Sequence, residues 1–430
     1  MSTRTREADW ITVEEATARI LECVQPLDLE RVKISEAVGR VLVASISSPI
    51  DHPPWDNSAM DGFAARTADV RGASRNEPVR LRVVESVPAG GFPSRPIAEG
   101  EAVEIMTGAP IPEGADCVVR VEHTRREGDR VVVVDDMDAG RNVRPKGEDV
   151  RAGDIVLEAG RVLRPAEIAL LATVGCATVE VHRRPDIAIL STGDELADFD
   201  EFDDVLAGRK IANSNSYGLA AAVRAAGAEP EILGIARDNR ASLREHLERA
   251  LPADALVTTA GASVGEHDLV KDALEDVGMR LVFWRVQMRP GSSFSFGLVP
   301  RPDRAPLLVF SLPGNPVSAL VTFEVLVRPT LRRMSGHRAA LSPRTVRVRA
   351  VEAIASKPDL VHYLRVKLSA EGAGGWLARL TGPQGSGLIT SMTEADALLV
   401  VPLGKAGIEA GELADAIPLR DEYDHEPLRH

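Results

Sequence analysis

Four loops in the middle of the chain concentrate the side chains able to do chemistry. The first is Ser191-Thr192-Gly193-Asp194-Glu195-Leu196. Two neighbouring carboxylates beside a glycine turn can hold a hard cation through oxygen ligands; an aspartate capping the next helix is the competing reading. The second is Arg237-Asp238-Asn239, again a turn with a carboxylate. The third, Thr258-Thr259-Ala260-Gly261-Ala262-Ser263-Val264-Gly265-Glu266-His267-Asp268, leaves a strand and enters a helix. Small residues such as Gly261, Ser263 and Gly265 let backbone N–H groups approach a phosphate, and Asp268 follows at once as a candidate ligand for a bridging Mg2+. The fourth is Leu312-Pro313-Gly314-Asn315-Pro316-Val317-Ser318. Its two prolines around Gly-Asn make a rigid turn, which suits a small oxyanion and is equally open to a structural reading.

Further polar groups accompany them. Asn213-Ser214-Asn215-Ser216 opens a helix, whose N-terminus favours anions. Arg285 and Arg289, in Trp284-Arg285-Val286-Gln287-Met288-Arg289-Pro290-Gly291, are spaced to project from one side of a strand, and guanidinium forks suit the oxygens of phosphate or another oxyanion. Solvation of a surface strand is the bland alternative. In the N-terminal half the dense block 53–64 (PPWDNSAMDGFA) reads as a functional loop containing Asp61, and 106–112 (MTGAPIP), with Thr107, is a weaker case of the same kind. A purely structural turn stays open for both.

The elements that must position these loops are legible as changes of texture. Residues 12–24 form an amphipathic helix capped by Thr12, with Glu15 at capping-box spacing. Short apolar runs at 81–84, 102–105, 117–121 and 131–134, with a turn at 127–129, make a small β-rich unit, and 144–149 (RPKGED) is a boundary loop. From 185 onward strands (186–191, 232–235, 255–259, 281–286, 307–312) alternate with helices (215–226, 241–250, 268–277, 316–334). That alternation predicts a parallel α/β sheet, whose ligands sit beyond the C-terminal strand ends. The acidic stretch 198–204 reads as a solvated loop. After 342 short strands return at 345–351, 362–368, 376–380, 397–401 and 413–418, the pattern of a small barrel or sandwich.

Composition narrows the function classes. With 430 residues and 44% hydrophobic content, about three domains can each bury a core. Acidic residues outnumber basic ones by 64 to 51, a net charge of −13, and aromatics are 4%. That balance disfavours nucleic acid and anionic membranes, so an anionic substrate needs a local basic pocket or a bridging cation. No apolar run reaches the length of a membrane span and no signal-peptide segment opens the chain. The three scattered cysteines, Cys23, Cys117 and Cys176, form no CxxC pair and read as reduced thiols of a cytoplasmic protein.

Seven ordered blocks resemble the molybdopterin molybdenumtransferase family (MoeA and the gephyrin E-domain): 53–64 (PPWDNSAMDGFA), 105–119 (IMTGAPIPEGADCVV), 144–150 (RPKGEDV), 191–196 (STGDEL), 213–216 (NSNS), 258–268 (TTAGASVGEHD) and 312–320 (LPGNPVSAL). The resemblance implies a multidomain α/β plus β fold. Its parts are an elongated scaffold domain (7–51 and 145–180), a β-rich inserted domain (52–144), a three-layer α/β molybdopterin-binding domain (181–336) and a C-terminal β-barrel (341–420). It also implies a homodimer whose site lies between the α/β domain of one subunit and the inserted domain of the other.

The reaction so implied converts adenylylated molybdopterin and molybdate into the molybdenum cofactor and releases AMP, with Mg2+. In that scheme Glu195, Asp238 and Asp268 organise Mg2+ and the attacking water, and Asp61 and Thr107 complete the site from the other subunit. Asn213, Asn215, Gly261, Ser263, Gly265, Pro313, Gly314 and Asn315 contact substrate; Arg285 and Arg289 hold the pterin phosphate or oxyanion, and Ser318 sits near molybdate. The family commonly has lysines where this chain has Arg285 and Arg289, and a basic residue where it has Ser292. A separate molybdopterin adenylyltransferase would supply the substrate. The second function class is a gephyrin-like scaffold that binds a partner's peptide near the barrel with reduced catalysis. An adenylyltransferase of similar α/β texture is a much shorter single domain, which the flanking β-rich regions exclude.

Overall fold

The apolar runs bounded by glycine and proline become strands, and the alternating stretch becomes one layered sheet, in a computed structural model that describes residues 10–259, 269–339, 341–371 and 375–420. The chain divides into two units. One takes the described residues among 1–30, 39–43 and 180–430; the other takes 31–38 and 44–179.

In the larger unit, Glu229–Ala236, Asp186–Thr192, Ala255–Thr259 and Leu307–Leu312 lie side by side in that order, all parallel. Their side chains alternate between two cores. Ile187, Ile189, Val257 and Phe310 face one core, and Ala188, Leu190, Leu256 and Val309 face the other. Helices cover both faces, so these strands read as continuous apolar runs. The expected all-parallel sheet needs one correction: Ser295–Val299 pairs antiparallel with Leu307–Leu312, and Arg280–Trp284 pairs antiparallel with Ser295–Val299 beyond it, so one reversed strand separates it from the parallel four. Phe283, Phe294, Phe296 and Phe310, with ring centroids 5.1 to 6.4 Å apart, hold this extension in place. The predicted helix 316–334 forms as Pro316–Thr322 and Arg328–Met334 joined by a π-helical turn at Phe323–Val327. Pro329 has no N–H to return along the helix, and the wider turn before it absorbs the interruption.

The barrel follows. Val361–Ala370, Trp376–Leu380, Val346–Ala350, Leu413–Pro418 and Ala397–Val401 pair in sequence, and the last closes back on the first. Its interior holds Val348, Leu364, Val366, Leu399 and Val401. Its outer face contributes Val361, Tyr363, Leu398 and Ile417 to the core of the α/β sheet. A short strand, Met288–Arg289, pairs in parallel with Val361 and His362, so α/β sheet and barrel are also joined through backbone. The N-terminal helix Val13–Glu22 forms as expected, with the Thr12 hydroxyl accepting from Glu15 N–H.

The smaller unit carries a six-stranded sheet ordered Cys117–Arg120, Gly62–Ala65, Glu101–Ile105, Val79–Val87, Arg130–Val133 and Thr124–Glu127. The block 53–64 is therefore not all loop, because Gly62–Ala65 is a fully buried inner strand. Gly62 is required there, since a Cβ would stand 2.1 Å from the carbonyl oxygen of Val119 on the neighbouring strand. The acidic stretch is likewise more ordered than expected: Phe199–Glu201 and Phe202–Leu206 are short helices. Glu201 there bonds Lys210 at 2.7 Å and Arg237 at 2.9 Å. Among the described residues no helix is long and apolar enough to cross a membrane.

Candidate active site

The parallel register aligns Ala236 with Thr192, Ser191 with Thr259, and Thr259 with Leu312. The four predicted loops therefore leave the sheet along one edge. Beneath them lies a buried hydroxyl network: Ser191 Oγ stands 2.9 Å from Asn213 Oδ1, 2.9 Å from Ser216 Oγ and 3.0 Å from Thr259 Oγ1. Asn213 caps the helix Ser214–Ala225, and its buried Nδ2 has no protein partner among the described residues. Asn215 Nδ2 donates to the carbonyl of Gly314 at 2.7 Å, tying the helix start to the Pro313-Gly314 turn.

At the first two loops, Asp194 and Asp238 exchange bonds. Each carboxylate accepts from the other's N–H, at 3.2 and 3.4 Å. Gly193 has φ +140, and a Cβ there would lie 2.4 Å from Glu195 Oε2, so the Glu195 carboxylate folds over the glycine. Oxygen donors are thus assembled, though among the described residues no three His, Cys, Asp or Glu side chains converge as a metal set. Asp268, Gly261, Ser263 and Gly265 lie outside the described residues.

Arg285 and Arg289 do not share a strand face, as their spacing suggested. The strand ends at Trp284, and Arg285 takes φ +75. Its guanidinium sits 5.6 Å from the Trp10 ring and 5.1 Å from the Trp284 ring. Arg289 belongs to the next short strand and lines a cavity of about 1010 Å3 between the α/β sheet and the barrel. Ser292, Pro313, Asn315 and Ser318 line the same cavity. Gly291, at φ +110, passes so close to the long helix that a Cβ would be 2.3 Å from Thr322 Cγ2.

The opposite wall comes from the barrel and was not anticipated. It includes Lys357, His362, Arg365, Gln384 and Ser386. Arg365 is only 1% exposed, yet no carboxylate pairs with it among the described residues. Its Nε donates to Ser391 Oγ at 3.0 Å and its Nη2 to the Gly385 carbonyl at 3.0 Å, while Nη1 has no protein acceptor among the described residues. Burial lowers the guanidinium's proton affinity, but an arginine remains cationic. Burial also holds His362 below the usual imidazole range, and its Nε2 accepts from the Lys357 N–H at 3.2 Å. Asn315 Nδ2 bonds Ser386 Oγ at 3.0 Å, fastening the fourth loop to the barrel wall. Among the described residues no aspartate or glutamate lines this cavity, in a chain whose net charge is −13. Cationic and neutral donors of this kind suit the oxygens of an oxyanion.

In the smaller unit Asp61 and Thr107 meet. The Asp61 carboxylate accepts from Thr107 N–H at 2.7 Å and from its hydroxyl at 2.8 Å. Those bonds, the backbone one first, hold the carboxyl below its usual range, so an exposed anion is presented.

Comparison with known proteins agrees with this geometry. A model of the MoeA N-terminal region (domain I and II) matches residues 11–175. A probable molybdopterin binding domain matches 188–333, and the MoeA C-terminal region (domain IV) matches 347–419. The chain is 38% identical to a molybdopterin molybdenumtransferase of Nostoc sp. over 386 residues, 90% of this chain and 87% of that one. It is 32% identical to that of Staphylococcus aureus over 419 residues, 97% of this chain and 98% of the other. The crystal structure of a molybdopterin biosynthesis moeA protein from Pyrococcus horikoshii superposes with a TM-score of 0.80 at 29% identity, covering 95% of this chain and all (100%) of that one. The chain therefore belongs to the molybdopterin molybdenumtransferase (MoeA) family of enzymes, which acts in molybdenum cofactor biosynthesis.

Proposed function

We propose that this enzyme inserts molybdate into adenylylated molybdopterin and releases AMP, and that the cavity between sheet and barrel holds the molybdate. The observation that carries this is that Arg289, Lys357 and Arg365 line one cavity with Ser318 and Asn315, with no carboxylate in that lining among the described residues. Molybdate is a compact dianion, and fixed donors of this kind replace its hydration shell without reorganising. The pterin phosphoanhydride would lie along the aligned strand ends, with the 258–268 loop as its phosphate cradle.

Mg2+ fits the donor set there. Glu195 and Asp238, with Asp268, would supply oxygens, and magnesium is usually held by one or two carboxylates plus substrate phosphates. When bound it would neutralise charge on the phosphoanhydride. Asp61 and Thr107 would complete the site from a second copy of the chain, as the family resemblance implies. The ionised, exposed Asp61 suits a group acting outward. The adenylylated substrate would come from a separate adenylyltransferase, and the cytoplasm is the compartment that free thiols favour.

Reconstitution with adenylylated molybdopterin, molybdate and Mg2+ tests the reading by AMP release and by activation of a molybdenum enzyme. Asp268→Asn should abolish AMP release while leaving thermal unfolding and oligomeric mass unchanged. Full turnover in that variant would remove Asp268 from the site.

A further inference from the structure

A second cavity, of about 850 Å3, lies in the larger unit and shares no lining residue with the first. Its wall is made by the helix Ser214–Ala225, the long helix, the segment 341–344 and the barrel residues near Ile389 and Ile417. Among the described residues four arginines line it, Arg328, Arg332, Arg344 and Arg420, against a single carboxylate, Glu324.

That carboxylate is already engaged. Glu324 bonds Arg328 at 2.8 Å, and Arg420 reaches Asp396 at 3.1 Å. Arg332 and Arg344 have no carboxylate within ion-pair distance among the described residues. Arg332 Nε is sealed from solvent without a hydrogen-bond partner. Its Nη2 finds only the His337 Nδ1, at 3.4 Å. Burial, with Arg332 beside it, pushes that imidazole down to about 4, so it is neutral near pH 7 and offers no counter-charge. Burial first, and then Arg328 and Arg344, act to lower the proton affinity of Arg332, which places the three guanidiniums within electrostatic reach of one another.

A buried donor without an acceptor is costly, and clustered cations without counter-ions are more so. The arrangement makes sense if an anion brings the missing acceptors. Guanidinium forks match oxyanions, and two of them match a dianion. Leu320, Phe323, Ile389 and Leu419 supply an apolar side to the same cavity, whose volume lies in the range of small-molecule sites. We propose that this cavity binds a phosphate-bearing small molecule, with Arg332 and Arg344 receiving the phosphate and the apolar side taking its uncharged body.

The test is calorimetric titration of the full chain with inorganic pyrophosphate at fixed ionic strength, in the parent, Arg332→Gln, Arg344→Gln and Lys357→Gln. Arg344 is exposed, so R344Q should retain the parent's thermal unfolding even if R332Q does not. The expected result is a pyrophosphate site that weakens at least about tenfold in R344Q and in folded R332Q, and that Lys357→Gln leaves unchanged because Lys357 belongs to the first cavity. Unchanged affinity in R344Q and R332Q, or loss of all binding in Lys357→Gln, would overturn the assignment. A failure confined to the Lys357-dependent binding would count against the molybdate site alone.

Discussion

Replacing Arg365 by glutamine puts the oxyanion cavity to its sharpest test. This guanidinium spends Nε on Ser391 and Nη2 on Gly385, and among the described residues Nη1 has no protein acceptor. A hydrogen bond involving a charged group is worth about 1.5–3 kcal/mol, and each ~1.4 kcal/mol is tenfold in affinity. If Nη1 reaches molybdate, R365Q should weaken molybdate binding roughly 10- to 150-fold. Glutamine can preserve only part of the contacts to Ser391 and Gly385, so unfolding stability should also fall by about 1–3 kcal/mol. Arg365→Lys keeps the charge but not the fork; its molybdate affinity should lie between the other two. Isothermal titration with molybdate gives the affinities, and urea unfolding shows that each variant is folded. A folded R365Q that binds molybdate within twofold of the parent would show that Arg365 is a structural strut, and the cavity would lose its main claim to the anion.

Two further outcomes follow from packing and charge. Gly62→Ala places a Cβ 2.1 Å from a backbone oxygen that cannot swing away, and should cost about 2–4 kcal/mol in urea unfolding; a loss below about 0.5 kcal/mol would mean the strands separate freely there. Glu101 is held down to about 2 from the usual 4.5, chiefly by Arg95, with the Ala98 N–H and Arg82 also contributing. A carboxyl lowered in the folded state stabilises above its ordinary range, and that stability is lost as the pH falls toward 2. The melting temperature of Glu101→Gln should therefore lie below the parent's near pH 6 and converge with it between about pH 4.5 and 2; a constant gap across that range would exclude the mechanism.

The loops at the ends of the parallel strands were legible because polar residues gather there next to glycine, between apolar runs. The parallel strands were legible because burial on both faces leaves uninterrupted apolar runs such as 255–259. Arg365 was not legible. It alternates with Leu364 and Val366 on a barrel strand, so from sequence it looks like an outward charge in water. Nothing local reveals that the segment 383–391 folds over it. Arg285 misled for a similar reason. Its positive φ and its place by Trp10 depend on a residue 275 positions away, and strand periodicity carries no information about either. The hairpin strand Ser295–Val299 was hidden among serines and glycine, and the phenylalanines that secure it come from three separate segments.

The short ladder between Met288–Arg289 and Val361–His362 determines how a ligand can enter the first cavity. Swinging the barrel aside would break those backbone bonds and expose Val361, Tyr363, Leu398 and Ile417, which now share a core with the sheet. At about 1.5–3 kcal/mol per side chain, that opening would consume much of a domain's total stability of about 5–15 kcal/mol. The cavity is consequently a fixed mould and not a jaw: whatever enters must pass and fit the gap as it stands.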